Sequence, residues 1–159
     1  MEKQLSWLGG LWDGEGSIIV WHSKRETGKD RYIATLVLTN TNVNIISESV
    51  KILDKVGIKM HLSFIKRIGK YKDCYQLTSR NMNSVKKFCE TMIPYLVGKK
   101  PQAELTLRFV NSRLDKLSNS KGWGHNTPYS EDEISLCEQL MKLNKKGKDE
   151  SSTTIRSNP

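Results

Sequence analysis

The residues best placed to do chemistry lie in one short run, Trp7-Leu8-Gly9-Gly10-Leu11-Trp12-Asp13-Gly14-Glu15-Gly16. Leu5, Leu8 and Trp12 recur at helical spacing with Leu11 beside them, so residues 3–13 read as a helix ending in Gly14-Glu15-Gly16. Adjacent glycines inside a helix cost roughly 1 kcal/mol each relative to alanine, which the close approach of another backbone would offset. Acids at a helix C-terminus also oppose the dipole, which prefers cations there. Two readings follow: a glycine C-cap with solvated acids, or carboxylates gathered to hold a divalent cation through oxygen.

The charge around this run is uneven. The 159-residue chain carries 26 Lys and Arg against 17 Asp and Glu, a net +9. Residues 1–16 are net −2, residues 17–80 net +7 and residues 81–159 net +4. Either a basic surface merely keeps the protein soluble, or a polyanion-binding face lies next to an acidic, metal-seeking point. Nucleic acid is the obvious polyanion.

Composition narrows the class. With 36% hydrophobic and 27% charged residues the chain reads as one globular domain, residues 1–147, with a polar tail at 148–159. No apolar run approaches the roughly 20 residues of a membrane span, and Asp13 interrupts the apolar N-terminal patch, so no signal peptide is read. Cys74, Cys89 and Cys137 are odd in number and lack CxxC spacing. That disfavours a disulfide framework or zinc ribbon and points to a reducing, intracellular compartment. His125 stands in a Gly-His-Asn triplet without the second histidine that an HNH nuclease needs.

The elements that must position the run follow from periodicity. Ser17–Trp21 and the alternating Arg31–Asn40 make a hairpin around polar Lys24–Asp30. Thr41–Asn44 is a cap-rich turn, and Ile46, Val50, Leu53 and Val56 mark a helix that ends before Gly57. Strands near His61–Ile68 and Tyr71–Thr78 flank a turn at Gly69-Lys70. Helices are expected over Asn83–Met92, over Pro101–Leu117, and from an N-cap at Ser130 to about Leu143. The order is αββαββα plus C-terminal helices: an α+β domain with one four-stranded antiparallel sheet.

Leu8-Gly9-Gly10-Leu11-Trp12-Asp13-Gly14-Glu15-Gly16 resembles, position by position, the motif of the LAGLIDADG homing endonuclease family. Leu38–Asn42, Tyr75–Leu77 with Arg80-Asn81, Leu96–Leu105 and Leu143–Gly147 are similar to the family's later segments, so the resemblance spans residues 5–147. It implies that the sheet is curved and binds DNA, and that Glu15 with the Gly14 carbonyl holds catalytic Mg2+, with Mn2+ as a substitute. The family's usual residue at the Glu15 position is Asp, so this chain departs by one methylene. The resemblance also implies that Asn40 orients water, that Lys99 stabilises charge on phosphate, and that Asp13 buttresses the helix end. Only one motif occurs, which implies a homodimer whose motif helices pack through Leu8, Gly9, Gly10 and Trp12. The expected activity is an intron-encoded, site-specific endonuclease of an archaeal cell or an organelle. An RNA maturase with intron RNA as partner, or a non-catalytic DNA-binding regulator, is the alternative on the same fold.

Two ten-residue strands span roughly 33 Å, on the order of ten base pairs, so two copies would read about twenty nearly palindromic pairs. Alternation turns Ile18 and Val20 toward the helices. It turns Ile19, Trp21, Ser23, Arg25, Arg31, Ile33, Thr35 and Val37 toward the major groove. Lys66, Arg67, Lys70 and Lys72 belong to a basic stretch without acids and suit phosphate contacts.

Overall fold

The computed structural model describes residues 1–24, 30–119 and 127–145. Its elements are α1 (Glu2–Glu15), β1 (Gly16–Ser23), β2 (Arg31–Asn40), α2 (Val43–Lys55), β3 (His61–Ile65), β4 (Cys74–Ser79), α3 (Met82–Met92), a 3-10 turn (Ile93–Tyr95), α4 (Lys100–Asn119) and α5 (Glu131–Leu143). The order matches the one read from periodicity. The expected tail, His125 and Arg25 lie outside the described residues. No described helix is long and apolar enough to cross a membrane.

The four strands form one antiparallel sheet in the order β1-β2-β4-β3. Alternation divides its faces as expected: Ile18, Val20, Ala34, Leu36, Leu38 and Leu77 point inward and are buried. Helices α1 to α3 cover this inner face, and α4 with α5 reaches β1. Trp12 lies against Phe88 of α3 with ring centroids 4.4 Å apart. Fully burying side chains of this size contributes about 1.5–3 kcal/mol each.

Two boundaries differ from expectation. Helix α1 runs two residues further, to Glu15, so both acids lie within its last turn. The second hairpin is shorter, because Asp73 Oδ1 accepts the Arg67 N–H at 2.8 Å and draws residues 66–73 out of the ladder. Gly69 turns there at a φ of 82°.

The C-terminal helices are pinned by a buried acid. Ser130 and Glu133 form a capping box at the start of α5. Glu133, with 0% exposure, also accepts from Ser112 and Lys116 at 3.0 Å, and Arg113 lies 3.6 Å away. Burial alone would raise the Glu133 pKa, but the Ser130 N–H, Lys116, Ser112 and Arg113 together hold it below the usual value. Arg113 also stacks over Tyr129, whose hydroxyl bonds both the N–H and the carbonyl of Tyr32 at 3.2 Å. The start of β2 is thereby tied to α4 and to the segment that leads into α5.

Candidate active site and nucleic-acid interface

Helix α1 has two faces of different character. Leu5, Leu8, Gly9 and Trp12 face inward and are buried. A Cβ on Gly9 would meet the Tyr95 carbonyl oxygen at 2.3 Å, and one on Gly16 would meet the Trp12 ring at 2.5 Å. The other face exposes Lys3, Ser6, Trp7, Gly10 and Gly14. Trp7 is 42% exposed, and a Cβ on Gly10 or Gly14 would meet nothing within 4 Å. This corrects the expected dimer contact: Leu8, Gly9 and Trp12 are used by the chain's own core. Of the four residues named for it, only Gly10 is exposed. Trp7, three residues before Gly10 and therefore on the same face, is the residue the sequence reading missed.

The two acids of the run are equally different. Asp13 Oδ2 accepts the Val97 N–H at 2.7 Å and its Oδ1 accepts the Lys99 N–H at 2.8 Å. Burial opposes its charge, but the N–H groups of Val97, Lys99 and Gly98 and the Lys99 ammonium outweigh it and lower the pKa. The Lys99 ammonium donates to the Asp13 carbonyl oxygen, one of the last in α1, where the dipole favours a cation. Asp13 thus buttresses the helix end and fixes the loop that carries Lys99.

Glu15 is exposed, and its carboxylate has no hydrogen-bond or ion-pair partner among the described residues. Gly14 beside it is exposed, and a Cβ there would meet nothing within 4 Å. Carboxylate and carbonyl oxygens are the donors a hard divalent cation prefers. Among the described residues no three His, Cys, Asp or Glu side chains gather to hold a metal. With Asp13 taken up by the Val97–Lys99 loop, Glu15 is the carboxylate of the run left without a side-chain partner among the described residues.

The strand register brings the other named residues to this end. Gly16 pairs with Leu38, so the last residues of β2 lie alongside the α1–β1 junction. Asn40 is there, but its Oδ1 accepts the Asn42 N–H at 2.8 Å and shapes the turn into α2, which Asn42 caps. Lys66, Arg67, Lys70 and Lys72 are all exposed in the β3–β4 turn, which leaves the sheet at the same end.

On the outer face Trp21 is 55% exposed, with Ile19, Ile33 and Val37 half-buried and Ser23 and Arg31 open to solvent. Thr35 shares this face by alternation but has 1% exposure, and its hydroxyl donates to the Ile33 carbonyl. It is closed to a groove contact, which corrects that expectation. The sequence reading also missed Thr39, His61, Ser63, Gln76 and Thr78, which lie on the same outer face. The alternation of Tyr75-Gln76-Leu77-Thr78 was the signal that would have found the pair on β4.

His22, Cys89 and Cys137 have structural roles. The His22 ring pairs with Asp30 at 2.8 Å and stacks on Tyr32. Cys89 and Cys137 are buried, with desolvation pushing each thiol up to about 12, so neither offers a nucleophilic thiolate near neutral pH.

Residues 2–92 match the profile of the LAGLIDADG-like domain. The chain belongs to that family. No curated protein sequence matches it. Among solved structures, this LAGLIDADG chain is similar to the archaeal intron-encoded homing endonuclease I-Vdi141I complexed with DNA. The TM-score is 0.67 at 16% identity, covering 92% of this chain and 87% of that one. It is also similar to the homing endonuclease I-CvuI, solved with a DNA target in 2 mM Mg with the DNA not cleaved. That match has a TM-score of 0.56 and 19% identity, covering 88% and 96%. The meganuclease I-SmaMI bound to uncleaveable DNA gives 0.62 and 17%, covering 91% of this chain but 45% of that longer one.

Proposed function

We propose that this LAGLIDADG protein is a homodimeric, divalent-metal-dependent homing endonuclease that makes a double-strand break in a nearly palindromic DNA site. Two sheets would read about twenty base pairs. The observation that carries the reading is the division of labour at the end of α1: Asp13 is saturated by the chain itself, while Glu15 two residues later is left open. The solved relatives bound to DNA support it at the level of the fold.

Glu15 and the Gly14 carbonyl would hold Mg2+, which supplies an activated water and stabilises the leaving 3′ oxygen when bound. Each chain offers one such carboxylate, and pairing α1 with its copy through Trp7, Gly10 and Gly14 would bring two together. The I-SmaMI chain, which this one covers to 45%, is consistent with one copy forming half of a larger unit. Lys99 and Asp13 hold the helix end at which Glu15 projects. The basic β3–β4 turn lies at that end and suits phosphates flanking the cut.

The test is incubation of the purified chain with a linear duplex of its own coding locus lacking the intervening sequence, with Mg2+ or with EDTA. A double-strand break at one position, in Mg2+ only, is expected. Intact DNA together with tight binding of the intervening RNA would overturn the nuclease reading in favour of a maturase.

A further inference from the structure

The outer face of the sheet is chemically divided. Across β1 and β2 as far as Val37 it presents apolar Ile19, Trp21, Ile33 and Val37, with polar Ser17, Ser23 and Arg31 at the ends, while the Thr35 hydroxyl is turned onto backbone. Across the end of β2, β4 and β3 it presents Thr39, Gln76, Thr78, Ser63 and His61. Gln76 is the centre of this polar part. It lies opposite Thr39 on β2 and opposite Ser63 on β3.

The Gln76 amide is held on both sides. Its Nε2 donates to Thr39 Oγ1 at 3.2 Å, and its Oε1 accepts from Thr78 Oγ1 at 3.3 Å. A primary amide has two N–H donors and two carbonyl lone pairs. Two of the four are used, leaving one donor and one acceptor in the same plane. Exchanging the amide oxygen and nitrogen changes nothing, because both hydroxyls donate or accept, and one of each kind remains. Half-buried and restrained, the side chain presents a fixed donor–acceptor pair to whatever covers the sheet.

Only one base offers the complement in the major groove. Adenine has the N7 acceptor beside the N6 amino donor, whereas guanine shows two acceptors, cytosine a donor and thymine an acceptor beside its methyl. We infer that Gln76, oriented by Thr39 and Thr78, is a specificity-determining residue that reads one adenine in each half-site. The inference rests on the proposed DNA-cleaving reading. Register adds a position. Gln76 pairs with Thr39, eight residues along β2 from Arg31 and beside the end that carries Glu15. Its adenine therefore lies on the central side of the half-site, nearer the cut than the bases under Trp21 and Arg31.

The experiment is selection from a pool of randomised duplexes by the full chain with Ca2+ in place of Mg2+, followed by sequencing of bound DNA. Wild type should enrich a two-fold symmetric motif with one inner position at which adenine is favoured roughly tenfold or more. Gln76→Ala should level that position alone. Gln76→Arg should turn it to guanine, and Thr78→Val should weaken the preference without moving it. Retention of the remaining motif shows in the same data that each variant is folded. A motif that Gln76→Ala leaves unchanged, or that changes at a position where wild type does not favour adenine, would overturn the inference while sparing the nuclease reading. Failure of wild type to enrich any motif would overturn that reading and this one with it.

Discussion

The two faces of α1 are built from the same few residue types and do opposite things. Inward, Gly9 and Gly16 are small because Tyr95 and Trp12 occupy the space a side chain would need. Outward, Gly10 and Gly14 are small with nothing near them. Inward-turned Asp13 is spent on the N–H groups of Val97 and Lys99, and outward-turned Glu15 is left open. The contrast separates what the fold requires of the motif from what remains for the proposed second chain, cation and DNA.

Glu15→Gln should have the largest effect. It removes a charge, and with it the proposed metal ligand, at an exposed position with little change of shape. Cleavage should fall about a thousandfold or more, as when a preorganised charge-stabilising group is lost. Thermal stability and specific DNA binding should hold. A melting temperature that fell with the activity would place Glu15 among the structural acids with Asp13.

The adjacent glycines give the next largest contrast. Gly9→Ala puts a Cβ 2.3 Å from the Tyr95 oxygen, and overpacking against backbone costs typically about 1–3 kcal/mol or more. A clear drop in melting temperature is expected. Gly10→Leu replaces a helix-interior glycine in open space, so it should hold or raise the melting temperature of the monomer while shifting sedimentation from dimer to monomer. If the wild type sediments as a fully active monomer, the outward face is not an interface and the comparison loses half its meaning.

Why the faces could not be told apart from sequence is plain from their partners. Helix periodicity placed Leu5, Leu8 and Trp12 on one side, and strand alternation placed Ile18 and Val20 inward. Both rules are local, and the structure agrees with them. Ser130 as N-cap is local too. The neighbours that decide between Gly9 and Gly10, or between Asp13 and Glu15, are not: Val97 and Lys99 lie 84 and 86 residues away from Asp13. Helical spacing does put Gly9, four residues after Leu5, on the inward side, but no spacing within the motif shows that Asp13 meets the Val97–Lys99 loop and Glu15 does not. Thr35 failed for a related reason, since alternation assigns a face but not whether solvent reaches it. Gln76 was legible as an outward strand residue, but its two threonine partners became visible only once β2 and β4 were paired.

Acid titration sharpens the inward side. Asp13 and Glu133 both have carboxyls held below their ordinary values of 3.8 and 4.5. A depressed native pKa gives stability that is complete above the unfolded value and lost as pH falls toward the native one. Stability to urea should therefore be flat from pH 7 to about 5 and decline below that. Asp13→Asn removes the charged acceptor of two N–H groups and should cost about 1.5–3 kcal/mol at pH 7, with a shallower acid limb. An acid limb as steep as that of wild type would mean that Asp13 carries none of the linkage.

The smallest effect expected is at the basic turn, and it is measured as a slope. Lys70 and Lys72 are exposed at the Glu15 end of the sheet and lie outside the strands that would read bases. If each neutralises a phosphate, the logarithm of the DNA affinity should fall linearly with the logarithm of salt, by about 0.9 per contact. Lys70→Ala should reduce that slope by about one contact, doubled because a dimer carries the residue twice, and should weaken all sequences alike. Arg31→Ala, at the far end of β2, should instead relax preference at symmetric outer positions, costing about 1–3 kcal/mol per lost base contact. The pair of measurements separates holding from reading. A uniform loss from both, with no change of preference from Arg31→Ala, would make the outer end of the sheet an electrostatic cradle and leave base recognition to the inner end, where Gln76 lies.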